Sequence, residues 1–205
     1  MSMKLSVLIP VYNQETLVIK ALDALPRRAD MEVLVCDDGS TDKTLANLEA
    51  YKDAHPDLNL RVFANDGNKG VACTKNRLLG KAHGEYFHIH DSDDYVITDA
   101  YSGLIDRLNG MDIYTMNLVV NNGNVLPITQ DTCAYYCAQI ARFIRRDFAE
   151  GITFPEEIRA GDDWFFANAL LERNPRTEYT GVAAYRYNFP REGSLCDLRA
   201  KGILP

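Results

Sequence analysis

The stretch MEVLVCDDGSTDKT, Met31 to Thr44, decides how the chain is to be read. Its apolar run, Met31 to Cys36, ends abruptly in two aspartates and a glycine, the pattern of a buried strand running into a tight polar turn. Thr41 or Asp42 is placed to cap a following helix, whose Leu45 and Leu48 share one face. The same unit recurs on either side. Upstream, KLSVLIPV (Lys4 to Val11) reads as a strand, followed by YNQ and a helix to about Leu25 that stops at Pro26. Downstream, LNLRVFA (Leu58 to Ala64) is a third strand, NDGNKG a turn, Val71 to Ala82 a helix, and GEYFHIH (Gly84 to His90) a fourth strand. Strands alternating with helices of this length predict an α/β fold with a Rossmann-like, mainly parallel central sheet and helices on both faces. Ligands of such sheets gather at the carboxyl ends of the strands. Here those ends carry YN, DDGS, NDGNKG and HDSDD, so the pattern predicts a site as well as a fold.

After Asp99 the pattern changes. SGLIDRL is helical, and MDIYTMNLVVNNGNVLPI alternates around Asn122-Gly123, a hairpin signal. CAYYCAQIARFIRRDFAE (Cys133 to Glu150) reads as helix, with RFIRRD as its solvated basic face. FPEEIRAGDDWFFANALLER turns at its proline and opens a helix near Asp162, and TEYTGVAAYRYNFP reads as a further strand. The expected organisation is one domain over 1–205, with a first half to about residue 98 and a mixed second half from about 99 laid against it.

The chain has 205 residues and a net charge of −7, from 22 basic and 29 acidic side chains. That balance argues against a general nucleic-acid binder and against attachment to anionic membranes through a polybasic patch. No apolar run approaches the roughly eighteen residues of a membrane span. The N-terminal MSMKLSVLIPVYN reads as a first strand and not as a signal peptide. Five scattered cysteines without a C-x-x-C fit a reduced, cytoplasmic setting.

Four groups of residues are candidates for chemistry. Asp91-Ser92-Asp93 can hold a hard divalent cation such as Mg²⁺ or Mn²⁺, which leaves coordination positions for phosphate oxygens. His88 and His90, two apart on a strand, face the same way, as a zinc-binding H-x-H pair would. With only His55 and His83 elsewhere, satisfied histidines lining one sheet face are the better expectation. Asp37 and Asp38 suit either a nucleotide contact, through a uracil imide or a ribose hydroxyl, or a turn and helix cap. Asp162 and Asp163 stand at a helix start ahead of an apolar stripe of Phe166, Ala169 and Leu170. There they serve as dipole-favoured acids or supply a general base. A receiver-type phosphoacceptor domain, with Asp91 as the phosphorylated group, would use some of the same acids.

Taken together, LSVLIPVYNQE, VLVCDDGSTDKT, NKGVACTKNRLLGKAHGEYFHIHDSDD, FIRRDFAEGITFPEEIRAGDDWFF and YRYNFPREGSL resemble the family 2 glycosyltransferases, in order, over roughly residues 4 to 196. The resemblance implies the GT-A fold, a donor half followed by an acceptor-side half, and an inverting transfer from a nucleotide-diphosphate sugar, most often a UDP-sugar. By the same resemblance Pro10, Tyr12 and Asp38 contact the nucleoside, and Lys75 faces the nucleotide. Asp91 lies near ribose and metal, Asp93 ligates Mn²⁺ or Mg²⁺, and Asp94 supports it. Asp163 is the base with Asp162 its neighbour, and Arg191 and Ser194 close over the diphosphate. The implied acceptor is a glycan or a lipid- or protein-linked one, in bacterial surface polysaccharide or glycoprotein glycan synthesis. A nucleotide-binding scaffold of the same fold, without turnover, is the alternative. The chain departs from the family pattern at Asp162, where glutamate is usual, and at Lys75, where arginine is common. The second change loses a planar two-pronged donor. Because the sequence stops at Pro205, soon after REGS, acceptor binding is expected to draw on a partner subunit or on earlier residues.

Overall fold

Every residue of β1 (Leu5–Val11) and β2 (Met31–Asp37) is buried, which is why both read as continuous apolar runs and not as alternating ones. The structure is a computed structural model that describes residues 2–130, 139–158 and 161–192. After β1 come α1 (Leu17–Ala24), β2, α2 (Thr44–Ala54), β3 (Leu60–Ala64), α3 (Val71–Leu79) and β4 (Tyr86–Ile89). The chain continues through β5 (Tyr95–Val96), α4 (Thr98–Arg107), β6 (Ile113–Val120) and β7 (Val125–Leu126). A 3₁₀ turn (Gln139–Ala141), β8 (Arg142–Arg145), α5 (Asp162–Leu171) and β9 (Thr177–Tyr187) complete the described elements.

The described strands form one sheet in the order β3-β2-β1-β4-β8-β6-β9-β5, with β7 on β6. The first four are parallel, β8 runs antiparallel to both β4 and β6, and β9 is parallel to β6. Side chains alternate between two cores. Leu5, Val7, Ile9, Val33 and Val35 meet α1, α2 and α4 through Val18, Leu22, Leu48 and Leu104. On the opposite face Leu8, Leu34 and Cys36 meet α3 and α5 through Ala72, Leu78, Phe166 and Leu170. The expected two-sided sheet is therefore present. The Asn122-Gly123 hairpin is present too, joining β6 to β7 with Gly123 at φ +83°.

One expectation fails. The stretch Cys133 to Glu150 is not a continuous helix: residues 131–138 lie outside the described residues, and Arg142–Arg145 is β8. The RFIRRD cluster is consequently no solvated helix face. Phe143 enters one core and Ile144 the other, both fully buried, as only a strand covered on both faces allows. Arg142 is buried, Arg145 pairs with Asp112 at 2.9 Å, and Arg146 Nε donates to the Gly84 carbonyl at 2.8 Å. Ladder pairing with β4 and β6 outweighs the helix propensity of the local sequence.

The loops at the strand ends are built to close tolerance. Asp42 Oδ1 accepts from the Thr44 N–H at 2.9 Å, but the cap position of α2 is Lys43, one residue later than expected, and its side chain makes no capping bond. Gly39 has φ +73°, and a Cβ there would lie 2.5 Å from Gly67 Cα, in the loop after β3. Gly39→Ala is expected to lower the melting temperature by about 5 °C or more, because it combines left-handed strain with a backbone clash. A thermal melt with an unchanged midpoint would show that the two loops do not need this approach.

Candidate active site

The loop after β4 gathers three carboxylates. Asp91, Asp93 and Asp94 each bring one oxygen within 4.8 Å of the others. The loop is pinned from β9 and the segment after it. The Asp91 N–H donates to the Tyr185 hydroxyl at 3.2 Å, the Asn188 N–H donates to Asp94 Oδ1 at 2.8 Å, and Asn188 Nδ2 donates to the Asp93 carbonyl at 3.2 Å. Asp93 Oδ2 meets Arg191 Nη2 at 2.5 Å. Burial pushes the Asp91 carboxyl up, with Lys75 pulling against it and Asp163 and Asp93 adding to the rise. Burial and the nearby Asp91 push Asp94 up as well. Asp94 Oδ2 is buried with no hydrogen-bond partner among the described residues. A hard cation with oxygen ligands suits this donor set, since it would offset the like-charge repulsion and use the orphaned oxygen.

The histidines sit underneath as structure. His88 is fully buried, 2.7 Å from the Tyr101 hydroxyl through Nδ1 and 2.9 Å from the Ile140 carbonyl through Nε2. Burial lowers its pKa to about 3, and that of His90 to about 4, so both are neutral at physiological pH. His90 Nδ1 lies 2.8 Å from the Asp91 carbonyl, placing that ring behind the acidic loop. Its buried Nε2 has no hydrogen-bond partner among the described residues, so of the two rings only His88 is satisfied as expected.

Across the site, α5 begins after Gly161 with Asp162 and Asp163 in its first turn. Lys75 of α3 reaches both, with Nζ at 2.8 Å from Asp162 Oδ2 and 2.5 Å from Asp163 Oδ1. Lys75 therefore lies against the acid pair, a contact that sequence reasoning did not show. Phe154 lies beneath the ammonium, its ring centre 4.8 Å from Nζ, and stacks on Phe166 at 4.1 Å. Asn76 fixes Phe154 by bonding its carbonyl and its N–H, at 2.9 and 2.8 Å. Gln139 Nε2 donates to the Asp163 carbonyl at 3.2 Å. Burial raises the Asp163 pKa, with Lys75 opposing and Asp162 assisting the rise. Asp163 Oδ1 is engaged by Lys75, while the side chain keeps 41% of its exposure, so solvent or a substrate can approach it.

At the carboxyl end of β1, Pro10 is buried and Tyr12 is 42% exposed just beyond it. Asp38 is buried and binds the loop after β3: Oδ1 accepts from Asn65 Nδ2 (2.7 Å) and the Lys69 N–H (2.9 Å), and Oδ2 from the Gly70 N–H (2.9 Å). Asp37 accepts from the Ser40 N–H at 3.0 Å. Both acids thus shape loops, and Asp38 keeps capacity on Oδ2 for one further donor. Ser194 lies outside the described residues. Sequence reasoning did not single out Asn76, Phe154, Tyr185 or Asn188. All four lie inside the stretches that carry the family resemblance, and that membership was the available signal.

The model of the family described as Glycosyl transferase family 2 matches residues 6–171. The chain belongs to this family. The receiver-type reading falls with that match. Among similar proteins, the poly(ribitol-phosphate) beta-N-acetylglucosaminyltransferase TarS of Staphylococcus aureus (strain MW2) is 30% identical over 93% of this chain and 36% of its own length. The chondroitin synthase of Escherichia coli is 29% identical over 83% of this chain and 27% of its own length. The family 2 chain described here thus spans about a third of these relatives. The crystal structure of S. aureus TarS 1–349 in complex with UDP-GlcNAc superposes with a TM-score of 0.78, at 27% identity, over 94% of this chain and 60% of that one. The mannosyltransferase PcManGT from Pyrobaculum calidifontis, in complex with GDP-Man and Mn²⁺, has a TM-score of 0.74 at 21% identity and shares the fold. These superpositions agree with the expected GT-A architecture.

Proposed function

We propose that this family 2 domain transfers a sugar from a UDP-sugar to an acceptor hydroxyl in one inverting step, assisted by Mn²⁺ or Mg²⁺, in the synthesis of a bacterial surface glycan. The observation that carries the reading is convergence. The Lys75 ammonium, hydrogen-bonded to Asp162 and Asp163, also feels the charge of Asp91. A carboxylate cluster suited to the leaving diphosphate and a carboxylate suited to proton abstraction therefore share one electrostatic environment.

In the proposed step Asp163 takes the proton of the acceptor hydroxyl as the acceptor oxygen bonds to the anomeric carbon. The bond from that carbon to the phosphate oxygen breaks, and UDP departs. No covalent enzyme intermediate is required. A bound Mn²⁺ or Mg²⁺, held by Asp93 and Asp91 with Asp94 in support, would neutralise the charge left on the diphosphate. Pro10, Tyr12 and Asp38 are assigned to the nucleoside, and Arg191 and Ser194 to the diphosphate. The UDP and UDP-GlcNAc complexes of TarS support uridine as the nucleoside. In this assignment residues 1–98 form the donor half and the remainder the acceptor half. No described helix is long and apolar enough to cross a membrane. Free Cys36 and Cys73 accord with a cytoplasmic setting.

Thermal shift with UDP is the direct test. UDP with Mn²⁺ at about a hundred times its dissociation constant is expected to raise the melting temperature by about 5 °C or more. Asp93→Asn is expected to remove the Mn²⁺-dependent part of that shift. An equal shift with and without Mn²⁺ would overturn the metal assignment. Binding without turnover of any donor, across a panel of acceptors, would favour the scaffold alternative.

A further inference from the structure

The acidic loop already holds a cation of its own. Arg191 Nη2 lies 2.5 Å from Asp93 Oδ2, and the two side chains keep only 25% and 21% of their exposure. Asp93 is the carboxylate assigned above to the metal, so guanidinium and divalent ion compete for one oxygen. The loop's remaining ties, from Asn188 to Asp93 and Asp94 and from Asp91 to Tyr185, do not pass through the Arg191 side chain. Moving that side chain breaks one ion pair and leaves the loop in place. A second observation concerns the same group: Arg191 Nε is buried and has no hydrogen-bond partner among the described residues. A buried, unused donor on a guanidinium is unfavourable and calls for an acceptor.

We propose that Arg191 is an internal counter-cation that keeps Asp93 closed to a free divalent ion and releases it when a nucleoside diphosphate arrives. A metal alone must displace a charge-assisted hydrogen bond and leave an unpaired guanidinium beside it. A diphosphate removes both penalties. Its oxygens take over the guanidinium, the idle Nε–H included, in the forked geometry that suits arginine to carboxylate and phosphate alike. Donor and metal therefore bind with positive coupling, and by linkage each strengthens the other by the same factor. Lys75 does not substitute, because Asp162 and Asp163 hold its ammonium. The inference rests on the metal-assisted reading of the site.

The test measures Mn²⁺ binding directly, by the electron paramagnetic resonance signal of free Mn²⁺, on the full chain with and without saturating UDP. In the unaltered protein UDP is expected to tighten Mn²⁺ binding by about tenfold or more. Arg191→Gln is expected to bind Mn²⁺ without UDP about fivefold more tightly than the unaltered protein, and to gain less from UDP. Arg191→Lys, which keeps the charge, is expected to stay close to the unaltered protein in the absence of UDP. If Arg191→Gln binds Mn²⁺ alone no better than the unaltered protein, while UDP-linked Mn²⁺ binding and its loss in Asp93→Asn are intact, the counter-cation is overturned and the metal site stands. If the unaltered protein binds no Mn²⁺ even with UDP, the metal reading fails and this inference fails with it.

Discussion

Asp163→Asn is expected to slow sugar transfer by about 10²–10⁴-fold while leaving UDP and Mn²⁺ binding close to that of the unaltered protein. The amide keeps the size of the side chain and cannot accept the acceptor proton. Two features of the structure make Asp163, and not Asp162, the group to change. Asp162 is buried, whereas the Asp163 side chain is 41% exposed and open to an acceptor. The first turn of α5 also retains its other acid, so Lys75 keeps a partner at 2.8 Å when Asp163 is neutralised. Because partial desolvation, with the neighbouring Asp162, raises the Asp163 pKa against the pull of Lys75, the unaltered protein should lose rate on acidification from a higher pH than an isolated aspartate would dictate. The variant's residual rate should not show that limb. Transfer kinetics over a pH series with a matched donor-binding titration decide the matter. Equal loss of binding and turnover would make Asp163 a donor contact instead of a base.

Lys75→Met is expected to have the largest effect on stability, about 3 kcal/mol or more at neutral pH, because it strands a buried carboxylate. Most of that loss belongs to the Lys75–Asp162 pair, in which the side chains are 4% and 8% exposed. Asp163 contributes less, since water reaches it and screens its charge. The loss should depend on pH. Lys75 is the group that holds the Asp163 pKa down, so without it Asp163 ionises less readily still in the folded chain than in the unfolded one, and above the ordinary carboxylate range the folded chain binds more protons. Stability then falls as pH rises. The gap between variant and unaltered protein should accordingly widen from about pH 5 to pH 8, and urea unfolding at both values measures it. Lys75→Arg, which retains the charge, should recover much of the deficit. A gap of constant size would mean that Lys75 supports the fold through packing on Phe154 and not through the ion pair.

The parts of the molecule that were legible in the sequence are those fixed by short-range pattern. Buried strands such as VLIPV and VLVC show as apolar runs, and the acids that follow them show as strand ends. The Asp162-Asp163 pair shows as a helix start because capping and dipole preferences act within one turn. The histidine pair was readable for a similar reason, as neighbours on a strand with too few other ligands for zinc. Longer-range decisions were not legible. Arg142 to Arg145 has a helix-compatible composition, and its strand state is set by β4 and β6 on either side. The partner of Lys75 lies 87 residues away, so only the fold shows that the lysine holds the acid pair. Asp38 was legible as a strand-end acid, but its hydrogen bonds to Asn65, Lys69 and Gly70 were not, because they depend on a loop some thirty residues later.

The position of β8 has a consequence for how the chain can be divided. The change of sequence pattern near Thr98 suggests a place to cut, yet the sheet has no corresponding gap. β4 pairs with β1 on one side and with β8 on the other, and β5 pairs with β9. A fragment ending there would carry β4 as a bare edge strand, with Phe87 and Ile89 uncovered and unpaired amide and carbonyl groups along its length. Such an edge invites strand addition from another copy. The first half of the chain, for all its resemblance to a nucleotide-binding module, is thus a template for aggregation until the second half closes it.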